Sequence, residues 1–174
     1  MSDERKIFSS KTIFIFFVVT ITFILFILLS FWSRVNIDRR PAKNIVCQSN
    51  LKTFGMIFYM YALDNSNSYP APQKWCDTLS NGWIRNMPEI FHCPSAQKAR
   101  CNYALNPNCE PNSPPDTVLL FETKGGWNLS GGPELLSMGN HGGYGCNVLL
   151  NSGSVDYVRN DEIENINWGK EENE

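Results

Sequence analysis

The chain has 174 residues, with 15 lysines and arginines against 17 aspartates and glutamates, for a formal net charge of -2. That balance leaves no basic stripe with interleaved aromatics, so no nucleic-acid partner is expected. The length admits one domain and an appendage.

Apolar residues concentrate in the run TIFIFFVVTITFILFILLSFW, residues 12–32, with no charge between Lys11 and Arg34. As a helix rising about 1.5 Å per residue it would reach about 32 Å, the thickness of a bilayer's hydrocarbon core. A buried helix of a soluble protein is rarely apolar on every face over this length. Trp32 ends the run, where an amphipathic aromatic favours the membrane interface. A cleaved secretory signal would carry a shorter apolar stretch ending in small residues, whereas this one ends Phe31-Trp32-Ser33-Arg34. The expectation is an uncleaved anchor with the lipid bilayer as partner. Residues 1–11 form a cytoplasmic N-terminus, 12–32 the transmembrane helix, 33–168 an extracytoplasmic domain and 169–174 an acidic tail. Arg5, Lys6 and Lys11 precede the segment, but Arg34, Arg39, Arg40 and Lys43 follow it, and by that count alone the positive-inside rule slightly favours a cytoplasmic domain. Six cysteines, Cys47, Cys76, Cys93, Cys101, Cys109 and Cys146, lie in the polar part and argue for an oxidising compartment. The domain is therefore placed outside the cytoplasm.

Beyond the anchor, Cys47, Leu51, Phe54, Phe58 and Tyr61 recur at helical spacing over residues 43–64, one stripe of an amphipathic helix. Pro41 suits its first turn, or a kink if the helix continues the anchor. The turn formers of DNSNSYPAP close it. Residues 73–115 read as irregular loops stapled by disulfides, with a short helix around residues 77–79. TVLLFET, residues 117–123, reads as a buried strand. Gly125-Gly126 and Gly131-Gly132-Pro133 then read as turns. CNVLL and SVDYV flank Asn151-Ser152-Gly153 as a hairpin. Asn160 suits the cap of a final short helix, with Ile163, Ile166 and Trp168 as its packing face. A helix with one apolar face followed by a small antiparallel sheet is an α+β layout in which the sheet covers the helix.

Catalytic and metal chemistry find little support in the residue pattern. His92-Cys93 and His141 with Cys146 invite a nucleophile-and-base reading, because a histidine can lower a thiol's pKa. The competing reading, preferred here, has all six cysteines in structural bridges and His141 bonded to backbone at the Gly142-Gly143 turn. Six cysteines allow 15 complete pairings, and sequence does not choose among them, although Cys93 and Cys101 are close enough for a short loop. No C-x2-C pair marks zinc, the glycine pairs lack the phosphate-loop form, and the acids Asp156, Asp161 and Glu162 lack calcium-loop spacing. Trp75, Trp83 and Trp127 read as core in preference to a sugar-stacking surface. No catalytic residue, cofactor or metal is assigned.

Several segments, in order, resemble a large family of bacterial pilin-like proteins with a C-terminal H-x9-DG motif, related to type II secretion pseudopilins and type IV pilins. CQSNLKTFGMIFYMYALDNSNSYP from Cys47 to Pro70, then Phe91-His92-Cys93-Pro94-Ser95 and Asn102-Tyr103-Ala104-Leu105-Asn106, look like its post-membrane helix, Cys-Pro-Ser and Tyr-Ala-Leu-Asn segments. His141-Gly142-Gly143, Asn147-Val148-Leu149-Leu150 and Gly153-Ser154-Val155 resemble its C-terminal hairpin. The resemblance implies a long N-terminal helix, half transmembrane and half amphipathic, packed on a small antiparallel sheet. It also implies a non-enzymatic component of a secretion or pilus-like assembly, with other pilin-like subunits or secretion machinery as partners. Two departures stand out. Ser10, Lys11 and Ile15 occupy the positions of the family's processing-site Gly, the following Phe and the assembly Glu. His141 is followed after ten residues by Ser152-Gly153 where the motif has nine and Asp-Gly. Alternatives are a solitary anchored module binding polysaccharide or a surface protein, and a membrane-tethered thiol or hydrolytic enzyme.

Overall fold

The computed structural model describes residues 10–37 and 39–169, with side chains from residue 12 except at 33–41. The basic residues before the apolar run and the tail residues 170–174 lie outside the described side chains. The chain forms two compact units that divide between Arg39 and Arg40.

The first unit is built on α1 (Ser10–Ile37). Its segment Thr12–Trp32, 21 residues of mean hydropathy 3.0, is long and apolar enough to cross a membrane, and none of it is buried against protein. Aliphatic and aromatic side chains point outward on all sides, from Ile13 to Trp32. The hydroxyls that interrupt them turn back onto the helix: Thr20, Thr22 and Ser30 donate to the carbonyls of Phe17, Val19 and Phe26. No hydroxyl of these three is left to the surroundings, as an apolar solvent requires.

The second unit is α+β. Its first helix, α2 (Arg39–Asp64), carries Pro41 in its first turn. Cys47, Leu51, Phe54 and Phe58 are fully buried along the stripe the spacing predicts, and Tyr61 packs at its edge. Ser66 and Asn67 stop the helix in left-handed backbone, at φ 55° and 54°. The short α3 (Trp75–Gly82) follows. Four strands then make an antiparallel meander in chain order: β1 (Cys101–Leu105), β2 (Val118–Gly126), β3 (Gly145–Leu150) and β4 (Val155–Arg159).

One sheet face, with Tyr103, Leu105, Leu120 and Leu149, closes over α2. Phe54 sits at the centre, its ring 5.8, 5.4 and 5.6 Å from those of Trp75, Phe91 and Tyr103. Gly55 brings the helix close to β3, since a Cβ there would meet Leu149 Cδ1 at 3.1 Å. The opposite face, with Ala104, Phe121, Cys146 and Val148, is covered by Leu129, Leu135, Ile163, Ile166 and Trp168. Both faces of β1, β2 and β3 are therefore occupied, and their residues are buried in near-continuous runs, whereas β4 is largely open to solvent.

Several expectations need correction. β1 lies in the region read as irregular; all five of its residues are buried, so it shows no alternation to betray a strand. Gly125 and Gly126 extend β2, Gly126 opposite Cys101, and are not a turn. Asn160 does not cap the last helical turn, Ile163–Asn165; its amide donates to Gly143 O at 3.2 Å. Among the described residues one disulfide forms, Cys47–Cys93, tying α2 to the loop before β1. Cys76, Cys101, Cys109 and Cys146 are buried thiols. Cys101 does not reach Cys93 because its sulfur turns back to the Tyr103 backbone at 3.4 Å. Cys146 lies on the sheet face away from α2, where no second cysteine is buried.

Candidate functional site

The bridge at Cys47–Cys93 adjoins the buried acid Glu122 and His141. Cys47 enters from α2 as the first residue of its buried stripe. Cys93 follows the 3-10 turn Pro88–Phe91, and Asn102 fixes its loop: the Oδ1 accepts from Cys93 N at 3.2 Å while the amide donates to Gln97 O at 3.1 Å. The Cα atoms of the two cysteines are 5.1 Å apart, within ordinary disulfide range.

Glu122 comes from β2, on the face that looks toward α2, and is 0% exposed. A carboxylate so placed needs a full set of donors. His141 Nε2 lies 2.9 and 2.8 Å from its two oxygens. Asn147, across the β2–β3 pairing, gives its backbone N–H to Oε2 at 2.9 Å and its amide to Oε1 at 3.1 Å. Asn147 is held in turn: its amide also donates to Asn44 Oδ1 at 2.7 Å, and its own Oδ1 accepts from Gln48 at 3.1 Å. Two residues of α2 thus orient the asparagine that orients the carboxylate.

His141 closes the cluster. Its side chain is 5% exposed and stands on the turn before β3. It does not bond the backbone at Gly142-Gly143, as the glycine pair had suggested; burying an acid nearby gives the imidazole a stronger acceptor. Its Nε2 is also 3.8 Å from Cys93 Sγ. Cys47, Cys93, Glu122 and His141 each offer one ligand-type atom, all within 4.8 Å of one another. Beside them opens a cleft of about 600 Å³, lined by Lys43, Asn44, Ser95, His141, Tyr144 and Tyr157 among others.

The nucleophile-and-base arrangements considered from sequence do not assemble. His92 is exposed, and Cys93 is taken up in the bridge. Cys146 lies on the other sheet face, its thiol pushed up to about 12 by burial and by the Glu122 charge, which leaves little thiolate to attack anything. Burial likewise pushes the Cys109 thiol up to about 12. Cys76 is hydrogen-bonded to Cys101, and burial drives its pKa far above the usual thiol range.

The tryptophans are chiefly structural. Trp75 is fully buried, while Trp83 and Trp127 pack at the core's edge. Trp127 carries more: its indole donates to Asp77 Oδ1 at 2.7 Å, and the Arg100 guanidinium lies 3.7 Å above its ring. Asn128 accepts from the N–H groups of Cys76 and Asp77 at the start of α3, at 2.8 and 3.2 Å. It acts as a cap supplied from a distant loop, in left-handed backbone at φ 54°.

Glu122 and Asn147 escaped the sequence reading. The signal for Glu122 was present: an acid inside TVLLFET, a strand otherwise apolar or neutral, has to be paired if the strand is buried. No family model, no curated protein and no solved structure matches the chain.

Proposed function

We propose that the protein is a non-enzymatic, pseudopilin-like component of a type II secretion or pilus-like assembly, anchored by α1 in the inner membrane with its head outside. The observation that carries the reading is the order of parts: an apolar helix of membrane-spanning length, then a helix whose one face is sunk in an antiparallel meander. A long helix with a small sheet folded over its second half is the pilin-like layout that the resembling segments imply. Those segments also occupy coherent positions. Asn106 of the Tyr-Ala-Leu-Asn stretch donates to Val118 O at 2.7 Å and Trp168 O at 3.0 Å, joining the sheet to the C-terminal strap. Tyr69 of the Tyr-Pro end donates to Asn151 of the hairpin turn at 2.7 Å.

Subunit contact has a surface to use. Met56, Tyr59, Met60 and Leu63 on α2 are exposed by 61, 66, 49 and 66%, at the i, i+3, i+4, i+7 spacing of one helical face. In an assembly the apolar stems associate in the bilayer and this face meets the neighbouring head. Ile15 at the position of the family's assembly glutamate and Ser10 at its processing glycine set this chain apart from a major filament subunit. The experiment is photo-crosslinking in native membranes from Phe23 in α1 and Tyr59 in α2. Adducts between two copies, or with another membrane-anchored pilin-like chain, support assembly; their complete absence at both sites counts against it.

A second reading, the solitary anchored binding module, is favoured by the cleft of about 600 Å³ beside His141, whose Lys43, Tyr144 and Tyr157 suit a polar ligand such as a sugar. Retention of the full chain on immobilised polysaccharide, lost on Tyr144→Ala, would support it.

A further inference from the structure

We propose that the dithiol form of this chain binds one zinc ion through Cys47 Sγ, Cys93 Sγ, His141 Nε2 and a Glu122 oxygen, and that formation of the Cys47–Cys93 disulfide expels it. This inference stands apart from the membrane-assembly reading, since all four residues and their supports belong to the second unit.

The donor set is one that zinc takes: two thiolates, an imidazole nitrogen and a carboxylate oxygen, in tetrahedral array. Bond lengths of about 2.0–2.3 Å place tetrahedral donors about 3.3–3.8 Å apart. The four atoms already lie within 4.8 Å of one another, with Cys93 Sγ and His141 Nε2 at 3.8 Å. Opening the bridge lets the two sulfurs separate by side-chain rotation, and the imidazole and carboxylate, at 2.8 Å, need part by only a few tenths of an ångström.

Three features distinguish the cluster from a chance grouping. It draws on four distant segments, α2, the loop before β1, β2 and the turn before β3, so the fold itself converges on the point. All four groups are shut from solvent, with the Glu122 and His141 side chains 0% and 5% exposed and Cys47 and Cys93 0% and 3% exposed. The carboxylate has an outer support of the sort metal sites use: Asn147 holds both its oxygens, and Asn44 and Gln48 hold Asn147. The cleft that His141 lines gives an ion its route in.

The chemistry balances without an unnamed partner. A newly made chain carries both cysteines as thiols. Binding Zn²⁺ displaces two protons from sulfur, and the imidazole presents its Nε2 lone pair with its single proton on Nδ1. On meeting a small-molecule or protein disulfide, the two thiolates give up two electrons and form the Cys47–Cys93 bond. The oxidant takes those electrons and two protons to become two thiols, and Zn²⁺ leaves with two of its ligands gone.

The test uses the full chain in detergent, reduced with a phosphine, desalted without oxygen and offered Zn²⁺; a parallel sample is first oxidised with a small disulfide. The expected result is one zinc per reduced chain after gel filtration and none on the oxidised chain. Peptide mass spectrometry after alkylation should show zinc-dependent protection of Cys47 and Cys93, with Cys76, Cys101, Cys109 and Cys146 unaffected by the metal. His141→Gln should lose zinc retention. No zinc on the reduced wild-type chain, equal zinc on both forms, or protection of a different cysteine pair would each overturn the proposal. The wild-type footprint decides the matter even where the variant fails to fold.

Discussion

His141 Nε2 stands 2.8 Å from Glu122 Oε2 in a site where neither side chain meets solvent to any useful extent. Breaking a buried pair by deleting one partner leaves the other group without compensation, at about 3–5 kcal/mol. Glu122→Ala should therefore lower the unfolding free energy of the reduced or oxidised chain by about that amount. Denaturant titration in detergent, read by tryptophan fluorescence, measures it. A loss below about 1 kcal/mol would place the carboxylate outside the folding core.

The disulfide closes a loop between residues 46 apart in sequence. Restricting the unfolded chain over that span stabilises the fold by about 4 kcal/mol in the chain-entropy treatment. Reduction in the presence of a chelator should shift the denaturation midpoint down accordingly, since the chelator removes any metal that would compensate. An unchanged midpoint would contradict the bridge as a structural tie.

Phe54 touches three other aromatic rings and is fully buried between α2 and the sheet. Phe54→Ala should cost about 3–5 kcal/mol through lost burial and the cavity left behind. Gly55→Val should cost about 1–3 kcal/mol for a different reason, since the new branch would press on Leu149 and hold α2 off β3. Thermal melting of the two variants checks both, and a near-native melt for Phe54→Ala would remove α2 as the docking helix.

Asp77 is held below the usual carboxylate range by the Trp127 indole and then the Asn128 amide, which both donate to it. A carboxylate whose folded pKa is depressed contributes stability above its unfolded pKa and loses it as the pH falls through the folded value. The stability difference between wild type and Asp77→Asn should thus be present at neutral pH and shrink on acidification below the ordinary aspartate range. A difference that grows as the pH falls would reverse the sign of this account.

Much of the architecture could be read from residue order. The 21-residue apolar run, the α2 stripe from Cys47 to Phe58, the strand at TVLLFET and the hairpin about Gly153 all appear where periodicity and turn residues place them. These are local signals, each set by side chains a few positions apart. β1 was hidden because both its faces are covered, so its pattern carries no period. The site was hidden for a topological reason. Cys47, Cys93, Glu122 and His141 are 46, 29 and 19 residues apart along the chain, and the meander and its docking on α2 bring their atoms within 4.8 Å. Cysteine counting pointed to three bridges, but sulfur pairing depends on which sheet face each residue occupies, and Cys146 lies on the face opposite Cys47.

In the proposed function α1 holds the chain in a lipid bilayer. Alkaline carbonate extraction of membranes from cells making the full chain, followed by flotation, separates an inserted chain from a soluble one. The chain should stay with the floated lipid, and three charged substitutions within residues 12–32 should release it. Full recovery of the wild-type chain in the soluble fraction would contradict it.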